Sequence, residues 1–259
     1  MSHSHCEGSR SDSCSAHQML NINQELSIVI IAKNEEKYIG ILLDSILEQD
    51  YPRISETQII VADADSKDRT REITLSYSGR LSIKIVKGGL PSFGRNAGAK
   101  NSQSDYILFI DADIELADQR IIRKTIEMMK EKNLHCATTN IYCRDGNFFD
   151  KFLYQLSNFA QKLSRLDMPF ATGMFMMFKR DIFNSLGGFD ERVEYSEDYF
   201  LTKKIERNRF AIIPGYVLTT NRRFKKTGYL RKSGLFLKTL INRKNDNYFL
   251  NLKIKDYWE

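Results

Sequence analysis

Leu26-Ser-Ile-Val-Ile-Ile-Ala32 is an almost entirely apolar run that is rich in β-branched residues. Strands that are buried on both faces of a parallel sheet have this composition. Apolar residues then recur at positions 39, 42, 43, 46 and 47, which is the spacing of one helix face. The segment therefore predicts a buried strand followed by a helix that covers it.

The same order of strand and helix repeats along the first half of the chain. Strands are predicted at residues 58–62, 81–86 and 106–110, and helices at residues 67–78, 93–101 and 121–132. Repeated units of this size form a mostly parallel, doubly wound sheet, because each right-handed crossover returns a helix to one face. The predicted fold class is therefore α/β.

Composition limits the domain number and the cellular location. The chain has 259 residues, of which 42% are hydrophobic and 28% charged, which suits one folded domain with tails. We predict a Ser- and His-rich disordered leader over residues 1–23, a folded domain over 24–221 and a C-terminal extension over 222–259. No segment approaches the roughly 18 consecutive apolar residues of a membrane-spanning helix. Because none of the four cysteines forms a C-x-x-C pair and no apolar signal core is present, we expect a reduced, cytoplasmic chain.

Positive charge is concentrated in the C-terminal extension. Residues 222–259 contain eleven Lys or Arg and three Asp or Glu, a net +8, so the first 221 residues carry −2 of the total of +6. Such a segment suits a phospholipid surface, a lipid-linked phosphate or nucleic acid, and a solvated helix face is the alternative. We expect no nucleic-acid partner, since the sequence contains no nucleic-acid-reading module.

Polar and acidic residues follow three of the predicted strands. The carboxyl ends of parallel strands meet at one edge of a sheet, where ligands bind. Carboxylates that meet there repel one another unless a cation or a donor-rich ligand lies among them. The pair in Asp111-Ala-Asp113 suits Mg²⁺ or Mn²⁺, with coordination positions left for substrate phosphates.

Six short elements, in the right order, resemble those of the family-2 glycosyltransferases with the GT-A fold. They are Ser27-Ile-Val-Ile-Ile-Ala-Lys-Asn-Glu-Glu36, Val61-Ala-Asp-Ala-Asp-Ser-Lys-Asp-Arg-Thr70, Gly94-Arg-Asn-Ala-Gly-Ala99, Phe109-Ile-Asp-Ala-Asp113, Leu186-Gly-Gly-Phe-Asp-Glu191 and Ser196-Glu-Asp198. Ala64 and Asp65 depart from the family's common Asp and Gly. The resemblance extends over about residues 26–225 and rests on all six elements together.

The resemblance implies a Rossmann-like, mostly parallel sheet flanked by helices, with a smaller acceptor-side region. It also implies inverting transfer of a sugar from a UDP- or GDP-linked donor to an acceptor hydroxyl. Cell-envelope polysaccharide, glycolipid and lipid-linked glycan synthesis are all open as the setting. Two other functions compete with this one: a non-catalytic sugar-nucleotide-binding protein, and a metal-dependent phosphatase that uses the D-x-D pair.

Within the resemblance, Asp198 is the candidate catalytic base, since inversion needs a carboxylate across the sugar from the leaving group. Asp113, with support from Asp111, is expected to hold Mn²⁺ or Mg²⁺. Asp63 matches the acid that contacts the nucleotide base.

Seven further residues are candidate donor or acceptor contacts. Asn34 and Glu35 are expected to line the nucleoside pocket, and Arg95 to contact the diphosphate or the base. Possible diphosphate or acceptor contacts are Gly173, Glu197, Arg222 and Arg223.

Structural alternatives remain open for several of these residues. Asn34 suits a helix N-cap, and Asp63 an acid near a helix N-terminus. Arg95 could be a surface arginine, and Ser196-Glu-Asp198 a helix-capping cluster.

Two segments are predicted to flank the acceptor. Residues 145–168 form an amphipathic helix whose aromatic residues are expected to pack on the sheet. Residues 229–241 mix apolar and basic residues at near-helical spacing, which suits either a membrane interface or a helix docked on the domain. We therefore expect peripheral contact with an anionic membrane at its inner face.

Overall fold

The computed structural model describes residues 23–222, 225 and 228–254, without the side chain of Lys232. The predicted leader, except Asn23, and Arg223 lie outside the described residues. The strands are β1 (Leu26–Ala32), β2 (Gln58–Asp63), β3 (Ser82–Lys87), β4 (Tyr106–Asp111), β5 (Cys136–Cys143), β6 (Phe175–Lys179) and β7 (Phe210–Thr219). The helices are α1 (Ile39–Leu47), α2 (Thr70–Ser76), α3 (Pro91–Lys100), α4 (Ile121–Glu131), α5 (Phe148–Ser164), α6 (Arg180–Ser185), α7 (Glu197–Thr202), α8 (Tyr229–Ile241) and α9 (Asp246–Asn251).

The strands form a single seven-stranded sheet in the order β3-β2-β1-β4-β6-β5-β7. The first four strands are parallel, as is the β5–β7 pair, whereas β6 runs antiparallel to both β4 and β5. The prediction of a mostly parallel α/β sheet flanked by helices is confirmed. The antiparallel β6 lies between β4 and β5 in the sheet and joins the four parallel strands to the β5–β7 pair.

Strand β1 lies at the centre of the core and all seven of its residues are buried. Ile28 and Ile30 belong to the apolar cluster on one face of the sheet, and Val29 belongs to the cluster on the other face. Alternate side chains of a strand point to opposite faces, so helices on both sides explain the continuous apolar run. Helix α3 approaches this strand closely, because a Cβ at Gly98 would lie 2.2 Å from Val29 Cγ1.

Asn23, the first described residue, packs with the folded domain. Asn23, assigned above to the leader, is fully buried. Its side-chain amide donates to Tyr51 Oη at 2.9 Å and to Thr57 Oγ1 at 3.0 Å. A buried amide requires such partners, and these bonds fix the entry of the chain into β1.

The C-terminal extension packs on the domain. Phe249 of α9 is fully buried, and its ring centroid lies 5.7 Å from that of Tyr199 and 5.3 Å from that of Phe200. Phe236 of α8 lies edge-on to Phe170, with centroids 6.3 Å apart. The boundary drawn at residue 222 is therefore not a break in packing. In the part of the chain that the structure describes, no helix has the length and apolarity to cross a membrane.

Helix α5 is oriented differently from the expectation. Its aromatic residues were expected to pack on the sheet. The side chain that bonds to the backbone of β5 is instead the polar Asn158. Asn158 accepts from the N–H of Ile141 at 3.0 Å and donates to its carbonyl at 2.9 Å. The aromatic residues Phe148, Phe149, Phe152 and Phe159 are exposed instead.

We expect Gly98→Ala to destabilise the fold and Gly79→Ala to leave it nearly unchanged. The added methyl at position 98 would overlap Val29, which is fully buried, whereas nothing lies within 4 Å of a Cβ at Gly79. Overpacking of this kind costs roughly 1–3 kcal/mol of the free energy of unfolding, less a part regained from helix propensity. Urea unfolding of both variants measures the difference. Equal stabilities would show that α3 shifts to accommodate the methyl group without loss of free energy of unfolding.

Candidate active site

Residues predicted from three separate motifs meet at one edge of the sheet. In the strand register, Ala32 of β1 lies beside Asp63 of β2, and Ile31 lies beside Asp111 of β4. Asp63, Asp111 and Asp113 are all buried, with 2–3% of their surface exposed. The carboxyl ends of parallel strands are where ligands bind in open α/β sheets, so this edge is the candidate active site.

Asn34 joins the two loops that follow β1 and β2. Its backbone adopts a left-handed conformation, with φ 55°, and its N–H donates to Ser66 Oγ at 2.9 Å. Its side-chain oxygen accepts from the N–H of Lys67 at 2.8 Å. The residue at the N-cap of α1 is Tyr38, so Asn34 is not an N-cap and instead shapes the loops around the edge.

Asp63 holds one carboxylate oxygen in a network and leaves the other without a hydrogen-bond partner. Its Oδ2 accepts from the N–H of Ser66 at 3.1 Å and from Arg71 Nε at 2.5 Å. Its Oδ1 is buried and has no hydrogen-bond partner among the residues that the structure describes. Helix α2 begins at Thr70, too far along the chain for Asp63 to cap it. A buried oxygen without a donor is costly, and the N–H group of a ligand would satisfy it.

Arg222 closes the same edge from the far end of the chain. Its guanidinium donates two bonds to the carboxylate of Glu35, at 2.8 and 2.6 Å, and contacts Asp113 Oδ2 at 3.3 Å. It also lies 5.0 Å over the ring of Tyr38. The parallel pair of bonds gives both strength and a fixed orientation. Arg222 thus links the first predicted motif with the D-x-D pair.

Arg95 forms the centre of a second, buried cluster. The residue is only 2% exposed, which excludes a surface arginine. Its two terminal nitrogens donate to Glu197 and, at 2.8 Å, to Asp111 Oδ1. A Cβ at position 173 would lie 2.0 Å from one of these nitrogens, so only glycine leaves room for the guanidinium there. This ion cluster connects the end of β4 to the start of α7.

Asp198 is held in place by backbone donors. Its Oδ2 accepts from the N–H of Gly173 at 2.6 Å, and its Oδ1 accepts from the N–H of Tyr199 at 2.7 Å. The second bond is the one expected of an acid in a first helical turn, but the first comes from a residue 25 positions away. Asp198 is therefore both a helix-terminal acid and a carboxylate fixed at a tertiary contact.

Burial perturbs the acids of this cluster. Asp111, Glu197 and Asp198 share one guanidinium, so the cluster carries more negative than positive charge. Loss of hydration raises the pKa of Glu197 to about 7, against the opposing effect of Arg95. The same burial raises the pKa of Asp198 from its ordinary value. Raised carboxylate pKa values in a cavity are a common property of catalytic acids and bases.

A cavity of about 470 Å³ opens beside this cluster. Arg95, Asp111, Glu197 and Asp198 form its polar wall. The opposite walls come from α5 and α8 and are mostly apolar. The Asp198 carboxylate thus lines a cavity that is shared by the D-x-D edge of the sheet and helices α5 and α8.

The D-x-D residues fit a divalent ion that takes most of its ligands from a substrate. Within the described residues there is no group of three or more His, Cys, Asp or Glu side chains that could hold a metal ion. Asp113, with Asp111 nearby, supplies hard carboxylate oxygens at the sheet edge, and Mg²⁺ is commonly bound by one or two carboxylates plus substrate phosphates. These two residues could therefore hold such an ion, with the rest of its coordination sphere supplied by phosphate and water.

Sequence reasoning missed three features of the site. Arg71 pairs with Asp63, and Tyr38 lies against Arg222. The apolar cavity walls on α5 and α8 were also not identified. The position of Arg71 directly after Thr70, the last residue of the second motif, was the only signal in the sequence for its role.

The chain is similar to known glycosyltransferases in sequence. The model described as glycosyl transferase family 2 matches residues 27–187. Poly(ribitol-phosphate) beta-N-acetylglucosaminyltransferase TarS of Staphylococcus aureus is 33% identical over 93 residues, which are 34% of this chain and 16% of TarS. The O-antigen chain rhamnosyltransferase WbaN of Salmonella anatum is 22% identical over 166 residues, which are 58% of this chain and 51% of WbaN. The chain therefore spans at most about half the length of either relative.

Solved structures show the same fold. A crystal structure of S. aureus TarS in complex with UDP-GlcNAc has a TM-score of 0.61 at 21% identity, and covers 76% of this chain and 58% of that one. The mannosyltransferase PcManGT of Pyrobaculum calidifontis, in complex with GDP-Man and Mn²⁺, has a TM-score of 0.65 at 18% identity. That match covers 86% of this chain and 66% of the mannosyltransferase. The sheet with its flanking helices is thus the GT-A fold.

Glu197→Gln should remove a component of stability that depends on pH. The Glu197 carboxyl has a pKa of about 7 in the folded state and of 4.5 in the unfolded state. Its protonated form therefore stabilises the folded state, and this contribution is fully present below pH 4.5. That contribution falls as pH rises to about 7, by on the order of 3 kcal/mol. Relative to Glu197→Gln, the wild type should therefore lose stability between pH 4.5 and 7.

Urea unfolding at several pH values tests this expectation. Glu131→Gln changes an exposed glutamate on α4 and should run parallel to the wild type. Parallel curves for wild type and Glu197→Gln would contradict the assignment of a raised pKa to Glu197.

Proposed function

The chain belongs to glycosyl transferase family 2, and we propose that it is an inverting, metal-dependent hexosyltransferase-like enzyme. It would move a sugar from a UDP- or GDP-linked donor to an acceptor hydroxyl. The observation that carries the proposal is the position of Asp198: its half-buried carboxylate is fixed by the N–H of Gly173 and lines a cavity that also reaches Asp111. A base placed beside the D-x-D edge is what direct displacement at a sugar carbon requires.

The donor would bind at the sheet edge. Asp63 offers its Oδ1 to an N–H group of the nucleotide base, since that oxygen is buried and has no hydrogen-bond partner. The loop built on Asn34 and Glu35 lines the same edge. Arg222 is a candidate for the diphosphate, because its guanidinium already lies beside Asp113 and is more exposed than Arg95. The structures of similar proteins hold UDP-GlcNAc and GDP-Man, which leaves both bases open for this chain.

Asp113, with Asp111, would hold Mn²⁺ or Mg²⁺. When bound, such an ion supplies positive charge that offsets the charge developing on the departing diphosphate. Arg95 keeps Asp111 oriented through its bond at 2.8 Å. Its contact with Glu197 holds the start of α7, and with it Asp198, at a fixed distance from the sheet edge.

Asp198 would act as the base of a single displacement. Its carboxylate takes the proton of the acceptor hydroxyl as the oxygen bonds to the anomeric carbon, and the bond from that carbon to the diphosphate breaks on the other side. The fraction of Asp198 in the base form increases as pH rises, and because burial raises its pKa, this increase lies at a higher pH than for an ordinary aspartate. The transfer rate should therefore rise with pH on the acidic side of its profile.

The acceptor and the cellular location extend the proposal further. TarS and WbaN are named for polysaccharide acceptors, poly(ribitol-phosphate) and O-antigen chain, so we propose an acceptor in cell-envelope glycan synthesis, free or lipid-linked. From the basic C-terminal extension we propose that the protein acts in the cytoplasm, in peripheral contact with an anionic membrane.

Thermal unfolding with UDP, GDP and their sugar conjugates, in Mn²⁺, Mg²⁺ or chelator, tests the donor site. One nucleotide should raise the melting temperature by about 5–10 °C at a hundredfold excess over its Kd, and only with metal present. Asp113→Asn should abolish the metal-dependent part. Asp105→Asn, at the exposed opposite end of β4, should behave as wild type. Absence of a shift with every nucleotide, in a folded sample, would contradict the transferase proposal.

Asp198→Asn should lower the rate of sugar transfer by about 10²–10⁴-fold and leave donor binding unchanged, because the amide cannot accept the proton. Transfer is measured as nucleoside diphosphate released in the presence of cell-envelope acceptors. Asp181→Asn, on an exposed turn of α6, is the matched control. Donor binding without transfer by the wild type would instead identify a non-catalytic sugar-nucleotide-binding protein.

A further inference from the structure

The amphipathic helix α5 has its faces reversed relative to a helix of a water-soluble domain. It turns polar side chains towards the protein; those buried are Asp150, Tyr154, Asn158, Gln161 and Ser164. It turns apolar side chains outward, each 47–87% exposed: Phe148, Phe149, Phe152, Leu156, Phe159 and Leu163. Exposed apolar side chains that are grouped on one face of a helix in this way mark an interaction site.

The charges beside this surface indicate what covers it. Lys151, Lys162 and Arg165 are exposed on or next to α5, and the only acid of the helix, Asp150, is buried. Aromatic and aliphatic side chains bordered by Lys and Arg suit the interface of an anionic bilayer, where the rings enter the acyl boundary and the cations meet phosphate.

Helix α8 extends the same surface. The ring of Tyr229 at its start lies 5.2 Å from that of Phe149, which joins the two helices side by side. Leu230 and Ile241 are exposed, as is Arg231, and the sequence of α8 contains no Asp or Glu. We call the exposed side chains of α5 and α8 together the α5–α8 face.

The cavity described above opens onto the α5–α8 face. Leu156 of α5 and Leu237 of α8 both line it and are 48% and 57% exposed, so they form its rim. Its apolar walls include Leu153, Ala160, Phe170, Phe236 and Leu240. Asp198 lies at its polar end. An apolar passage thus connects the proposed base with the surface that suits a bilayer.

We propose that this cavity binds the hydrocarbon part of an amphiphilic acceptor, which enters it from an anionic bilayer lying against the α5–α8 face. The acceptor hydroxyl, at the junction of the polar and apolar parts of the molecule, then reaches Asp198. The inference rests on the proposed glycosyl transfer for the role of Asp198, and it adds the chemical class of the acceptor: a lipid rather than a free oligosaccharide.

Vesicle flotation tests the face. The full chain should float with vesicles of phosphatidylglycerol and phosphatidylethanolamine. The double variant Phe152→Ser/Phe159→Ser should weaken binding to these vesicles at least tenfold. Leu75→Ser removes an equally exposed leucine from α2, on another part of the surface, and should float as wild type. Failure of the wild type to float, or unchanged binding by the double variant, would overturn the proposal.

Calorimetric binding of n-dodecyl β-glucoside, below its critical micelle concentration, tests the cavity. The wild type should bind it and not methyl β-glucoside. Ser233→Phe and Ala160→Phe fill the cavity from opposite walls, and each should weaken dodecyl glucoside binding at least tenfold. Ser76→Phe makes the same change as Ser233→Phe at an exposed position on α2 and should have no effect.

Binding of UDP and GDP with Mn²⁺ is measured in the same variants. Unchanged nucleotide binding with lost glucoside binding supports the proposal, and it also shows that the variants are folded. Glucoside binding that survives both filling variants, or no binding by the wild type, overturns it. If the wild type binds neither UDP nor GDP, the glycosyltransferase function itself is contradicted. The two failures are therefore distinct.

Discussion

The contact of the Arg95 guanidinium with Asp111 and Glu197 is the interaction on which the site depends. Asp111 ends a strand of the parallel half of the sheet, whereas Glu197 begins a helix of the second half. Without the cation between them, these carboxylates would repel one another across the contact between the two halves. Loss of hydration in the same buried arrangement raises the pKa of Glu197; Arg95 opposes this effect, and the neighbouring Asp198 and Asp111 add to it. Placement of Asp198 therefore follows from an electrostatic constraint as much as from packing.

The second arginine makes a comparable connection at the sheet edge. Arg222 joins Glu35, near the start of the domain, to Asp113 and thus brings the C-terminal extension to the sheet edge that is proposed to bind the donor. Phe249 anchors the end of that extension on Tyr199 and Phe200, next to the base. Residues 222–254, where described, complete both sides of the site. Arg222, one of the basic residues of this extension, consequently lies at the candidate site and not on a remote tail.

The sequence predicted local structure well where periodicity and environment agree. The run at Leu26–Ala32 matched β1 residue for residue, because burial on both faces leaves a continuous apolar signal. The polarity of β5 is mixed, as in Thr138, Thr139 and Asn140, and no strand bounds were predicted there. Helix α5 shows a different limit: the spacing of its apolar residues predicts two faces but not which one meets the sheet. Pairs such as Arg222 with Glu35 are separated by 187 positions, and no local pattern encodes them.

Asp198 is held by the backbone of Gly173 and not by a side chain, and this has a consequence for how the protein can evolve. The donor is the backbone N–H of Gly173, so substitutions in the walls that α5 and α8 supply do not remove the group that orients the carboxylate. The helices that supply those walls contribute no atom to that bond. Under the proposed mechanism, acceptor preference can thus diverge among descendants of this chain through changes in α5 and α8, while the position of Asp198 is inherited unchanged.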